Sequence, residues 1–507
     1  MQVAAAPVRT CWVRINERST DYATVQAAVD AAQDGDVVKI AGYCTGIASR
    51  QGTKQIAYVG RNITLRGGYT TTWGPPDADV YPTTLDARGE GRVLYIDENV
   101  STTIEGLGIT GGDAAGLGGG PYLLDDAGGG VYADGATIMI RNSQVFRNAA
   151  QLGGGVYLVD ATVEVTETQL FSNTAELGGG VYAAGAAVGS SRSRFLRNSA
   201  SLLGGGLYAY ESSLTLDSVD FGFNVAGVDG GGLYLDQGCT ARIADCSIDA
   251  NSALERDGGG LYLDRSSATV RNSVIRNNET AEDGGGFYLF KTSSTSIASS
   301  KIVDNRAADK GGGLYVRKAP AAIANTVLAG NSAADEGSAL YLADSSVRLL
   351  HNTIVRNVGR TGIYVAGERG PSLTNTILAG HMIAIEIGAG STAHLEGTLW
   401  GADAWANGHD WIDAGATVTV TQNVWGDPSF EDPVPEDYHL RLSSPAIDRG
   451  VEVPVGEDRD GSDRPIGPAA DIGADEAGTR VYVPLVSRRE TESRVKERSR
   501  KAWGDDG

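Results

Sequence analysis

The chain has 507 residues, among them 70 glycines but only 4 cysteines and 3 methionines, and a formal net charge of −21. That charge argues against nucleic acid or an anionic membrane surface as partner, and no apolar run is long enough to cross a bilayer. So much glycine with so little helical patterning points to short strands joined by many tight turns.

The opening residues, MQVAAAPVRT, contain no apolar signal core. DYATVQAAVDAA (Asp21–Ala32) has the spacing of a short amphipathic helix with Val25 and Val29 facing inward, and DVVKIAG reads as the strand that follows. An open parallel sheet exposes unpaired backbone groups at its end, so this helix is expected to act as a cap. The strands NITLRGGY and RVLYIDE come next, with the irregular TTWGPPDADVYP between them. Residues 1–110 therefore form an N-terminal cap and the first irregular coils.

Residues 111–380 carry a repeat of about 26 residues. Tyrosine follows a glycine-rich turn at Tyr132, Tyr157, Tyr182, Tyr208, Tyr234, Tyr262, Tyr288, Tyr315, Tyr341 and Tyr364. An asparagine stands 16 or 17 residues after each but the last: Asn148, Asn173, Asn198, Asn224, Asn251, Asn278, Asn305, Asn331 and Asn357. A fixed period of this length marks stacked units that cannot bury their apolar faces alone. Within GGGLYLD (Gly258–Asp264), Leu261 and Leu263 share one parity and Tyr262 and Asp264 the other. The expected fold is thus all-β, a single-stranded right-handed parallel β-helix with a short N-terminal capping helix. The glycines are read as supplying positive φ for a sharp turn, the asparagines as an amide ladder at an inward corner, and the tyrosines as an outward stripe.

Three further patterns bear on chemistry. The residue before GGG is Asp229, Asp257 and Asp283 in successive coils, with Glu255 and Glu282 close by. Carboxylates stacked at coil spacing repel, so one should have a raised pKa or share a cation; they are the catalytic candidates, with solvated turn residues as the plain alternative. On the tyrosine stripe, Tyr208, Tyr234, Tyr262 and Tyr288 with Asp236 and Asp264 form a candidate ligand face, Gly206, Gly232, Gly260 and Gly286 leaving room for a flat sugar ring. Stacked tyrosines that only stabilise adjacent coils are the alternative. The loop Asp458, Asp460, Gly461, Asp463 resembles part of a calcium loop, against the alternative of a turn-rich cap held by Arg464 and Pro465.

Residues 381–478 are read as C-terminal coils and a cap. Trp400, Trp405, Trp411 and Trp425 either stack on sugars or plug the end of the core with their indole N–H groups satisfied. His351, His381, His394, His409 and His439 share no metal-ligand spacing and read as surface or loop residues. Cys11 with Cys44 and Cys239 with Cys246 are expected as two disulfides, buried free thiols being the alternative. Residues 479–507 hold a strand-like VYVPLV and a charged tail.

The GGG(V/L)Y turns with (F/I)xxN strand ends resemble the repeats of polymorphic outer-membrane proteins and related bacterial surface proteins of the pectin-lyase-like β-helix class. NITLRGGYTTTW with TTLDARG resembles their first coils, and DYHLRLSSPAIDRG with DRDGSDRPIGPAADIGADE a choice-of-anchor C-terminal region. The resemblance implies an extracellular or surface-displayed protein that needs no cofactor, calcium aside, and whose partner is a polysaccharide. Binding, adhesion or scaffolding is the expected role. A polysaccharide lyase or glycosidase using the acidic face, and a self-assembling filament, are the rival readings.

Overall fold

One coil shows how the chain is built. The backbone runs through Leu233–Asp236, Thr240–Ala244, Ser247–Asp249 and Ser252–Ala253, and Gln237, Asp245 and Ala250 turn its corners in the left-handed region, with φ of 46–54°. The next coil repeats the path in parallel register, Leu233 opposite Leu261 and Tyr234 opposite Tyr262. This computed structural model describes residues 10–121, 125–434 and 437–478, most of which stack in this way into the expected all-β parallel β-helix. VYVPLV and the charged tail lie outside the described residues. The sheet carrying the tyrosines has 15 strands, which at about 4.8 Å per coil makes a rod roughly 60 Å long. Alternating apolar residues fill it: Val131, Leu207, Leu233, Leu261, Phe287 and Leu314 are wholly buried.

The glycine triplet works differently from the expected turn. Of Gly258, Gly259 and Gly260, only Gly258 has positive φ (69°). A Cβ on Gly259 would stand 2.5 Å from the Glu279 carbonyl oxygen, and one on Gly260 2.6 Å from that of Gly286. The second and third glycines are there because the neighbouring backbone occupies the place of a side chain.

The asparagines form a continuous buried column. Asn251 Nδ2 donates to Asn278 Oδ1 (2.9 Å) and to the Phe221 carbonyl (2.9 Å), while its Oδ1 accepts from the Asn224 backbone N–H and side-chain amide. All four polar valences of the amide are met. The column runs from Asn148 to Asn357 and continues, with a change of residue, through His381, whose Nε2 lies 3.3 Å from Asn357 Nδ2, to Asn407.

Cys11 and Cys44 are disulfide-bonded, tying an antiparallel N-terminal strand, Cys11–Ile15, to the first coil strand, Val37–Cys44. The second expected disulfide does not form: Cys239 and Cys246 are buried free thiols. They stand at different corners of their coil, Cys239 between Ser212 and Ser266 and Cys246 next to Ser273. Ser212 N–H donates to Cys239 Sγ, and Cys246 N–H to Ser273 Oγ, so each cysteine substitutes for a corner hydroxyl.

The capping helix is Val25–Ala31, N-capped by Thr24, with Val25 and Val29 buried against the first coils. At the other end the tail of the rod departs from a simple end cap. Residues 427–434 and 437–478 fold back along the flank, where Phe430, Tyr438, Leu440, Ala446 and Ile472 pack on Val303, Val327, Val355, Ile377 and Leu399. Asn325 Nδ2 bonds the Glu457 carbonyl and Asn375 Nδ2 that of Val451, while Arg464 and Glu476 pair at 3.2 Å in full burial. His351 is likewise buried in this seam and His381 in the asparagine column, which corrects the expectation of surface histidines for these two, while His394 and His409 are exposed as expected. The tryptophans divide: Trp400 is buried with an unpartnered Nε1, Trp405 packs edge-on against Phe430, and Trp425 is exposed and donates to Asp410.

Asn251→Ala removes four hydrogen bonds from the middle of the column and leaves neighbouring buried groups unpaired, at about 1–3 kcal/mol for each unmet group. It should lower stability by several times the effect of Asp217→Ala, an exposed residue of the same rod. Denaturant titration of the two variants checks this.

Candidate functional site

The tyrosines stack from Tyr58 through Tyr364 with ring centroids 4.6–5.6 Å apart. They lie on the outer face of their strands, but they are not accessible: Tyr208, Tyr234, Tyr262 and Tyr288 are only 4–9% exposed. On one side the residues ahead of each glycine triplet cover them, as Leu152, Leu177 and Leu203 do; on the other side lie Val159, Ala184, Tyr210 and Phe290. Nor is there room for a sugar beside them. A Cβ at Gly206, Gly232, Gly260 or Gly286 would lie 2.5–2.6 Å from a carbonyl oxygen of the next coil.

The row two residues beyond the tyrosines stays at the surface. Its register partners in successive coils are Tyr210, Asp236, Asp264, Phe290 and Arg317. Tyr210 and Phe290 are half-buried and stand about 14 Å apart across three coil spacings. Between them Asp236 and Asp264 each keep one buried oxygen, Oδ1, without a hydrogen-bond donor. Their other oxygens are engaged: the Tyr208 hydroxyl donates to Asp236 Oδ2 at 3.3 Å, and Arg265 Nη2 holds Asp264 Oδ2 at 2.7 Å while lying 3.9 Å from Asp236 Oδ1. Burial, and then the neighbouring Asp264, push the Asp236 carboxyl above its ordinary range. Lys291 and Arg317 flank the Phe290 ring, 4.8 and 5.4 Å from its centroid. Two of the expected ligand residues, Asp236 and Asp264, thus share a site with Tyr210, Phe290 and Arg265, which sequence reasoning did not select. The same register position also carries Asp134, Val159, Ala184, Arg317 and Ala343, so residue type along the row did not single these coils out.

Asp229, Asp257 and Asp283 occupy the covering position on the opposite side of the tyrosines, in line with Leu203. They are not splayed into solvent. Asp229 Oδ1 accepts from the Asp257 backbone N–H, Asp257 Oδ1 from that of Asp283, and Asp283 Oδ1 from that of Lys310, all at 2.9–3.0 Å. Burial raises all three carboxyls, Asp257 to about 7 and Asp283 to about 6. Asp229 and Asp257 are buried and Asp283 half-buried.

The acidic loop near the C-terminus does not gather Asp458, Asp460 and Asp463 around one point. Asp458 is buried and spends its carboxylate on the backbone N–H groups of Asp460, Ser462 and Glu476, while Asp463 pairs by its backbone with Glu457. Asp460 turns instead to His439, Oδ2 to Nε2 2.7 Å, with Asp475 Oδ1 4.0 Å from the same nitrogen and Asp437 on Nδ1. Hydrogen bonding to Asp460, and then to Asp437, lifts His439 to about 9.

Asp257 titrates near neutrality in the fold and near the ordinary 3.8 when unfolded. Its raised value means that stability present below about pH 4 is lost as pH rises towards 7. Asp257→Asn keeps an acceptor oxygen and carries no charge, so its stability relative to the parent should rise between pH 4 and pH 8, by on the order of 2–4 kcal/mol. A difference constant with pH in melts at both values would contradict a buried, titrating carboxyl.

Residues 129–332 and, overlapping them, 206–400 match the family model described as "Right handed beta helix region". No curated protein matches the sequence. Among solved structures the chain is similar to the periplasmic alginate epimerase AlgG, at 9% identity over 83% of this chain and 95% of that one, with a TM-score of 0.39. It is similar also to pectate lyase Pel9A (14%, 89% and 90%, 0.30) and to the A-module of the Azotobacter vinelandii mannuronan C-5 epimerase AlgE6 (11%, 79% and 94%, 0.23). Among the described residues no helix is long and apolar enough to cross a membrane. With parallel coils in register throughout and the family match spanning residues 129–400, more than half its length, the chain belongs to the right-handed β-helix family.

Proposed function

We propose that this β-helix binds a polysaccharide of low charge outside the cell, across the row Tyr210, Asp236, Asp264 and Phe290, in an adhesive or scaffolding role. The observation that carries the reading is the pair of buried carboxylate oxygens, Asp236 Oδ1 and Asp264 Oδ1, that lack donors in successive coils. An unmet buried acceptor is costly, and a hydroxyl donor entering beside it recovers that cost. Sugars present hydroxyls at regular intervals along a chain, and the apolar faces of their rings suit the aromatic side chains at either end of the row. Arg265, half-exposed over both carboxylates, is the side chain that moves aside. Two carboxylates and a net charge of −21 repel a polyanion, which favours a neutral glycan.

A second reading, hydrolysis or lyase chemistry, is favoured by Asp283, a half-buried carboxyl raised to about 6, the range in which a group both gives and accepts protons near neutral pH. Retention on immobilised neutral and acidic polysaccharides separates these readings when run beside a turnover screen with calcium and with chelator. Asp236→Asn with Asp264→Asn, and Tyr210→Ala, should each reduce retention on a neutral glycan at least tenfold with little change in melting. Retention unaffected by both changes removes the row from the account, and product release abolished by Asp283→Asn replaces binding with catalysis.

A further inference from the structure

The C-terminal fold-back brings together a set of metal-binding atoms that no sequence motif announces. His439 lies in the strand Asp437–Leu440, Asp460 in the turn after Asp458, and Asp475 in the stretch that docks beside Thr353. One ligand atom from each falls within 4.8 Å of the others. We propose that His439 Nε2, Asp460 Oδ2 and Asp475 Oδ1 bind a divalent transition ion of the zinc class, which pins these three stretches together.

Two observations besides the clustering point to a ligand. Asp475 is only 8% exposed; its Oδ2 is occupied by the Leu440 backbone N–H at 2.7 Å, and its Oδ1 faces His439 Nε2 at 4.0 Å. On the far side of the imidazole, Asp437 Oδ1 accepts a hydrogen bond from Nδ1–H, the arrangement that orients a histidine ligand and directs the lone pair of the other nitrogen at a metal. Arg459 Nη2 also reaches the cluster, 3.3 Å from Asp460 Oδ1, 3.4 Å from its Oδ2 and 3.5 Å from His439 Nε2, and this guanidinium swings away as the ion enters. One imidazole with two carboxylates suits zinc better than calcium, which takes six to eight oxygens. The competing occupant of Nε2 is a proton. As the ion enters, that proton leaves to solvent, and the one on Nδ1 stays, hydrogen-bonded to Asp437. This site shares only Asp460 with the calcium loop expected from sequence, and it is independent of the glycan row.

Equilibrium dialysis of the whole chain against Zn²⁺, Ca²⁺ and Mg²⁺, each alone, tests the assignment. The expected result is one zinc retained per chain, a rise in melting temperature with zinc, and at least tenfold weaker retention in both His439→Ala and Asp475→Asn. Asp437→Asn should weaken it roughly 10–100-fold, and Asp463→Asn, outside the cluster, should leave it unchanged. Should His439→Ala not fold, His439→Gln keeps much of the volume and takes its place. No retained zinc, calcium retained in its stead, or zinc retention indifferent to both ligand changes would overturn the proposal.

Discussion

The distance at which one coil lies on the next, about 4.8 Å, governs the rest of this molecule. At that spacing an asparagine amide can donate to the amide above it and to a backbone carbonyl below, while its oxygen accepts twice, so the column from Asn148 to Asn357 has no loose valence. Aspartate lacks the donors for such a column, and glutamine is a methylene too long to hold the same corner. His381 can follow Asn357 because at that step one ring nitrogen facing the amide is enough. The amides lie inside the rod, where an unmet partner is most costly, and they set the height of every turn that follows.

The same spacing explains the glycine triplets. A carbonyl oxygen of the next coil lies 2.4–2.6 Å from where a Cβ would be on the third glycine of each triplet, so a side chain there meets the neighbouring backbone. The flat turn that results lays the preceding residue over the tyrosine rings, and the tyrosines become a second, minor core on the outside of the sheet. Where that preceding residue changes from Leu203 to Asp229, Asp257 and Asp283, the cover becomes polar, and each carboxylate is kept there by the backbone N–H of the coil that follows. Surface chemistry is displaced to the next outward position, where Tyr210, Asp236, Asp264, Phe290 and Arg317 stand in successive coils.

Beyond the last coils the chain turns back and spends its apolar residues on the flank of the rod. The outer face of the strands around Val303, Val327, Val355 and Ile377 is apolar where the same face of earlier coils carries Gln144, Gln169, Arg194 and Asp220. An apolar outer face in water demands cover, and the fold-back provides it. Its own polar groups are then buried, which is why Arg464 pairs with Glu476, and why His351 sits beside Arg464 with its pKa pushed down to about 3 by burial. Burial and docking of these loops are also what bring His439 against Asp460 and Asp475.

The amino-acid sequence by itself determined the repeat, its strand parity, the inward aliphatic residues, the asparagine corner and the capping helix. Each of these rests on interactions that recur at a fixed interval, so one dimension is enough to display them. The tertiary structure decided what depends on distance between coils and on the route of the non-repeating end. Alternation placed the tyrosines outward, but only the lie of the turn above them buried their rings. Glycine at three successive positions signalled a turn, but close approach of the next backbone accounts for two of the three. Cys239 and Cys246 are near in sequence yet stand at different corners, each hydrogen-bonded to a serine of a neighbouring coil. His439 meets Asp460 and Asp475 across 21 and 36 residues of chain, through a fold-back whose path is dictated by apolar cover, which no local spacing records.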